Sequence, residues 1–194
     1  MRKIGEVGQT ALRWVQVDGD TGVYELRARD EVVGTLFRVK AAGTLFAAVA
    51  ADGRWTFKRG GFLPPHVTVR HMGEEANIAT LVLNWPSSGK LSFDDGRTYQ
   101  WRAAHRRQHY SKWIDEGGAI VVKLTSWASP SRHDATVEVE LAAADTRDLS
   151  LLTMLGWYCV VLAPELSSQA PAKQGYTQQL MPLEHKQEGP QIGP

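Results

Sequence analysis

Two windows of the chain carry Arg, Lys and His but no Asp or Glu, and that imbalance is the first hint of chemistry. Between Asp52 and Glu74 stand Arg54, Lys58, Arg59 and Arg70, with His66 and His71. Between Asp95 and Asp115 stand Arg97, Arg102, Arg106, Arg107 and Lys112, with His105 and His109, interleaved with Tyr110 and Trp113. Such runs suit phosphates and anionic headgroups. A guanidinium donates two parallel hydrogen bonds to one anion, and a field of one sign draws counter-charge in. The candidate anion-binding set is Arg54, Lys58, Arg59, Arg97, Arg102, Arg106 and Arg107, on condition that both windows reach one side of the fold. The competing reading is an ordinary solvated face, balanced by acids from elsewhere such as Glu25, Glu138 or Glu140.

Other chemistries find less support. His105 and His109 have the i, i+4 spacing of a helical metal pair, but the intervening residues lack the Glu of a zinc hydrolase motif. In strand-like sequence they would lie about 13 Å apart, too far to share an ion. Cys159 is the one cysteine, so neither an internal disulfide nor a multi-cysteine metal site is expected. Its apolar neighbours suit an inert small hydrophobe better than a nucleophile. Gly89-Lys90 continues into Leu91, and Asn84 stands where a P-loop needs Gly, so no nucleotide cradle forms. No G-x-S-x-G elbow occurs. Asp94 and Asp95 read as turn residues, and Trp85 beside Pro86 reads as a packed barrel rim or a loop anchor at a membrane interface. We expect no enzyme, no cofactor and no metal.

The element that must position these residues is Leu149–Ala163, fifteen residues without a charge between Asp148 and Pro164. It is apolar all the way round, so as a helix it must be surrounded on every side. Its length, roughly 22 Å at about 1.5 Å per residue, falls short of the ~30 Å of bilayer hydrocarbon. Burial in protein is therefore expected. Asp145 or Asp148 is placed to cap its first turn, and Pro164 to end it near Ala163. Before it, period-two alternation broken by turn residues marks about twelve short strands between residues 10 and 141. On Val23–Arg29, Tyr24, Leu26 and Ala28 share a face. Val33, Phe37 and Val39 share another, Trp55 and Phe57 another, and Tyr99, Trp101 and Ala103 another. Asp52-Gly53 and Asp95-Gly96 are hairpin signals whose tight turn needs positive φ. His105–Trp113 is ambiguous between edge strand and loop.

Composition fits one domain with a tail: 194 residues, 43% hydrophobic, 22% charged, net charge +1 and seven tryptophans. The N-terminus lacks the apolar core of a secretory signal, so a cytoplasmic protein is expected. We divide the chain into an N-terminal extension (1–9), a β domain with its helix (10–163) and a polar, disordered tail (164–194).

A long antiparallel meander closed by one apolar C-terminal helix resembles the tubby-like barrel superfamily, which includes tubby domains, LURP-one-related proteins and phospholipid scramblases. The resemblance rests on the hairpins Asp52-Gly53-Arg54-Trp55-Thr56-Phe57 and Asp95-Gly96-Arg97-Thr98-Tyr99-Gln100-Trp101, and on Leu151–Leu162 with Gly156-Trp157-Tyr158 at its middle. It covers about residues 10–163. It implies a mainly β fold, a twelve-stranded closed antiparallel barrel around a central hydrophobic helix. Closure removes sheet edges, and a barrel that wide needs the helix to fill its lumen. Functionally the resemblance implies contact with membrane lipid. Tubby domains bind phosphoinositides through surface basic residues, though none of those positions is carried over to this chain. The acidic calcium-binding segment and cysteine-rich stretch of scramblases are missing.

The expectation is a non-enzymatic module binding anionic phospholipid or phosphoinositide headgroups or a protein partner, cytoplasmic and peripheral at the membrane, without specific nucleic-acid binding. The alternatives are a membrane-associated protein that inserts 149–163 into lipid, and a small-ligand carrier or enzyme with a cavity beside the helix. The sequence leaves the oligomeric state open.

Overall fold

A computed structural model describes residues 1–7, 11–17, 22–40, 43–61, 64–84, 87–104, 109–129 and 132–167. Twelve strands form in chain order: β1 (Leu12–Gln16), β2 (Val23–Ala28), β3 (Glu31–Arg38), β4 (Leu45–Ala50), β5 (Gly53–Gly60) and β6 (His66–His71), then β7 (Ala79–Asn84), β8 (Ser88–Phe93), β9 (Thr98–Ala104), β10 (His109–Ile114), β11 (Ile120–Ser129) and β12 (Arg132–Val139). Each pairs antiparallel with its chain neighbours, and β1 also pairs with β12 through Leu12 opposite Val137, which closes the barrel. The ambiguous stretch before Trp113 resolves at its end into β10. His105 lies outside the described residues.

Helix α1 (Leu149–Ser167) fills the barrel and packs against β3, β4, β5, β10 and β11. Its residues from Leu149 to Leu162 are buried, Val160 alone being half-buried, so protein surrounds them. No helix among the described residues is long and apolar enough to cross a membrane. The fit is aromatic. Trp157 stacks on Trp14 with ring centroids 5.5 Å apart and meets Tyr24 edge-on at 5.8 Å. Tyr158 meets Phe46 and Phe57 at 5.4 and 5.5 Å. Between them Gly156 lets the wall approach. A Cβ there would lie 3.0 Å from both Leu124 Cδ1 and Trp113 Nε1, closer than packed carbon atoms normally sit.

Four expectations need correction. The helix does not stop at Ala163 but runs through Pro164 to Ser167; a proline removes one N–H donor, and in the last turn that loss interrupts little. Asp148 precedes the helix and its carbonyl accepts the Leu152 N–H at 2.8 Å, but its carboxylate turns to Arg97 and Tyr99 rather than to the helix N–H groups. The hairpin at Asp52-Gly53 exists, but Ala50 pairs with Gly53, so Ala51-Asp52 makes the turn and neither Asp52 nor Gly53 has positive φ. Gly53 is required instead by the Trp55 indole, which would sit 2.1 Å from a Cβ.

The fourth correction concerns β3, where a bulge opposite Leu26 and Arg27 makes Val33 and Gly34 both face inward. An extra residue inverts the alternation beyond it. Leu36 and Arg38 therefore point in, while Phe37 and Val39 point out instead of sharing the face of Val33. Asp95-Gly96 follows a different turn as well. Gly96 has φ of +92°, and the Phe93 N–H bonds the Arg97 carbonyl at 2.9 Å, a three-residue hairpin loop with a glycine bulge. Within the N-terminal extension, Ile4 and Val7 are buried in the core.

Candidate basic surface

In a closed barrel each strand shows alternate residues to solvent, so the outer wall can be read from register. Carboxylates occur in strands only on β2 (Glu25), β3 (Glu31) and β12 (Asp134, Glu138). Each has a cation. Arg27 pairs with Glu25 at 2.6 Å, Arg2 with Glu31 at 2.6 Å, Arg13 with Asp134 at 2.9 Å and Lys123 with Glu138 at 3.1 Å. The eight consecutive strands β4 to β11 contain no Asp or Glu at all.

On those strands Arg54, Lys58, Arg70, Lys90, Arg102 and Lys112 alternate with buried core residues and so stand on the outer wall. Among the described residues none of these six has a carboxylate within ion-pair distance. Arg102 donates to Gln100 Oε1 at 3.3 Å and Arg70 to Asn77 Oδ1 at 2.7 Å. Lys112 stands in register with Arg102 on one side and with Lys123 on the other, three cations in a row across the sheet. Like charges directly opposite each other cost stability.

The structure separates the seven candidate residues. Arg54 and Lys58 lie outside β5, and Arg102 outside β9. The two strands are four steps apart, about 19 Å along the wall at about 4.8 Å per strand. Arg59 instead alternates with Trp55 and Phe57 and faces the barrel mouth, where it and Arg38 lie near the Tyr158 hydroxyl. Arg97 is held by Asp148 and Asp95, the latter at 2.8 Å, and its guanidinium covers the Phe93 ring at 4.3 Å. Arg106 and Arg107 lie outside the described residues, as does Trp85. Sequence reading passed over Lys90 and Lys123, single cations in otherwise unremarkable strands; only register places Lys123 beside Lys112. An open groove of about 430 Å³ lies on the same wall, lined by Gly61, Pro64, His66, Thr68, Asn77, Thr80 and Val82. Thr68 and Thr80 face each other in its floor, with Lys58 beside Thr68 and Lys90 beside Val82.

The titrating groups inside belong to the packing. Burial pushes the Cys159 thiol far up, leaving it protonated and unreactive. Burial also raises the Tyr158 hydroxyl, against the pull of Arg59 and Arg38, and that hydroxyl donates to the Thr44 carbonyl at 2.8 Å. Tyr99 is raised first by burial, with Arg97 opposing, and donates to Asp148 at 3.0 Å. Among the described residues no three His, Cys, Asp or Glu side chains converge as a metal site. No protein-family model, curated protein or solved structure matches the chain.

Proposed function

We propose that the chain is a non-enzymatic, tubby-like barrel that binds anionic phospholipid headgroups, phosphoinositides among them, through the outer wall of β5 to β10, as a peripheral protein of the cytoplasmic membrane face. One observation carries the reading: six outward cations on strands without a carboxylate, one of them, Lys112, in register with Arg102 of the same set on one side and with the paired Lys123 on the other. A fold that could place Glu at such positions gains nothing in stability from withholding it. An anionic surface supplies the missing counter-charge, at about 1 kcal/mol for each Lys or Arg near it. The Thr68–Thr80 groove adds hydroxyls that can meet a headgroup between Lys58 and Lys90.

Co-sedimentation with vesicles tests this. Binding to vesicles containing phosphoinositide or phosphatidylserine, absent on phosphatidylcholine alone and weakened by salt, is the expected result. Equal binding to neutral and anionic vesicles, or none to either, refutes it.

A further inference from the structure

Strand β4, Leu45-Phe46-Ala47-Ala48-Val49-Ala50, is apolar on both faces. That is the pattern of a strand covered on both sides, whereas an antiparallel strand with one face on the core and one in water alternates. Phe46, Ala48 and Ala50 face the core, while Leu45, Ala47 and Val49 lie on the outer side, Leu45 and Val49 half-buried and Ala47 buried there. The bulge in β3 enlarges the patch. It turns Phe37 outward, in register with Ala47, and Val39 beyond it is 46% exposed, with its N–H bonded to the Leu45 carbonyl at 3.0 Å. Val23 stands in register with Phe37 on the other side.

What borders the patch is unequal. On the β5 side Leu45 is paired with Lys58 and Val49 with Arg54, neither matched by a carboxylate among the described residues. On the β2 side lies the closed Glu25–Arg27 pair. Acids concentrate instead in the turns at the end where α1 begins: Asp52, Glu74, Glu75, Asp94, Asp95, Asp115 and Glu116. Val39 and Leu45 lie toward the opposite end of the barrel.

An apolar strip flanked by unmatched cations complements an anionic lipid surface, which offers hydrocarbon below and negative charge beside it. Resting on the headgroup reading above, we infer that the barrel meets the membrane mouth first, the end of β3 and the start of β4 entering the bilayer interface while the cations of β5 to β10 nearest that mouth stay at headgroup level. Val39 and Leu45 are the inserting side chains, Phe37 and Val49 lie behind them, Lys58 sits at headgroup level and Arg54 lies farther back toward the acidic turns. The barrel then lies with its acidic turns directed away from the membrane.

An environment-sensitive fluorophore on a Val39→Cys variant reads this directly, because Cys159 is buried and unlabelled in the folded protein. The control is the same dye on Ser92→Cys, exposed on β8 beside the acidic Asp94-Asp95 turn at the other end of the barrel. With phosphatidylcholine–phosphatidylserine vesicles the dye at residue 39 shifts to the blue and the dye at 92 does not. A V39D/L45D double variant that melts like the parent loses roughly tenfold in vesicle affinity, and part of the parent's binding survives high salt. Vesicle binding with no shift at 39, or undiminished in the double variant, overturns the inference while leaving headgroup binding intact. No binding by the parent overturns the headgroup reading itself. Concentration-dependent dimerisation without lipid, abolished by V39D, assigns the face to a second copy and overturns the lipid assignment.

Discussion

On β12, β1, β2 and β3 every strand carboxylate has its cation, whereas on β4 to β10 six outward cations have no carboxylate partner among the described residues. Both arcs belong to one sheet, with the same spacing and the same core behind them. The difference therefore lies in the outward side chains alone. Surface pairs add little to stability, up to about 1 kcal/mol each, so the first arc is roughly neutral to folding. The second carries, among the described residues, uncompensated charge beside an apolar strip, and so gains nothing from surface pairing.

Arg97 separates the two kinds of cation most sharply, since it sits in a basic window yet belongs to the paired class. Its partner Asp148 is buried at the start of α1, where Tyr99 also donates to it. Arg97→Ala leaves that carboxylate without its charge partner. Breaking a fully buried pair costs about 3–5 kcal/mol. With the Arg97 side chain 32% exposed, about 2–3 kcal/mol of unfolding free energy is the expected loss, measured by urea denaturation. A loss below about 0.5 kcal/mol would place Arg97 with the unpaired cations.

Reversing the unpaired arc tests it as a surface. R54E/K58E/R102E/K112E should retain the fold and lose at least about tenfold in affinity for anionic vesicles, or 1.4 kcal/mol. R13E/R27E, on the paired arc, should change that affinity less than about twofold. Equal losses from both sets would mean that only net charge matters and that the two arcs are equivalent.

Lys112→Glu should move stability and binding in opposite directions. It removes a like-charge contact with both Arg102 and Lys123 and creates two favourable ones, so the protein should gain up to about 1 kcal/mol. Vesicle affinity should fall severalfold at the same time, at about 1 kcal/mol for each headgroup-level charge removed. Thermal melts and sedimentation on one preparation decide it. A loss of stability would show that Lys112 is already balanced in the free protein.

These distinctions mark the limit of what the chain discloses before folding. Apolarity all around Leu149–Ala163 required a shell, and repeated alternation supplied strands enough to build one, so barrel and central helix were legible. Two kinds of information were not. A bulge changes the meaning of every residue beyond it, and nothing in Val32-Val33-Gly34 announces that Phe37 and Val39 turn outward. Pairing is a property of register: Arg97 looks like its neighbours until the fold brings Asp148 to it across the barrel end. Absence of acid in two windows of sequence was a narrow view of the wall, because the acid-free region extends over eight strands and draws in Lys90, which stands alone in sequence.

Acid should reveal the paired arc alone, as the smallest of these effects. Glu31 is held below the usual carboxylate range by its hydrogen bond from Arg2. For a carboxylate whose pKa is lower in the folded state, the unfolded chain binds protons first as pH falls. Its contribution is therefore complete above the ordinary carboxylate pKa of about 4 and disappears as pH drops through the depressed folded value. Arg2→Gln frees Glu31 from that hydrogen bond, so the fall in melting temperature below about pH 4 should become shallower than in the parent. Lys58→Gln, on the unpaired arc, removes no carboxylate partner and should leave that slope unchanged. A shallower acid limb in Lys58→Gln as well would mean that an acid reaches the unpaired wall, and the contrast between the two arcs would be one of geometry in a single conformation rather than of charge.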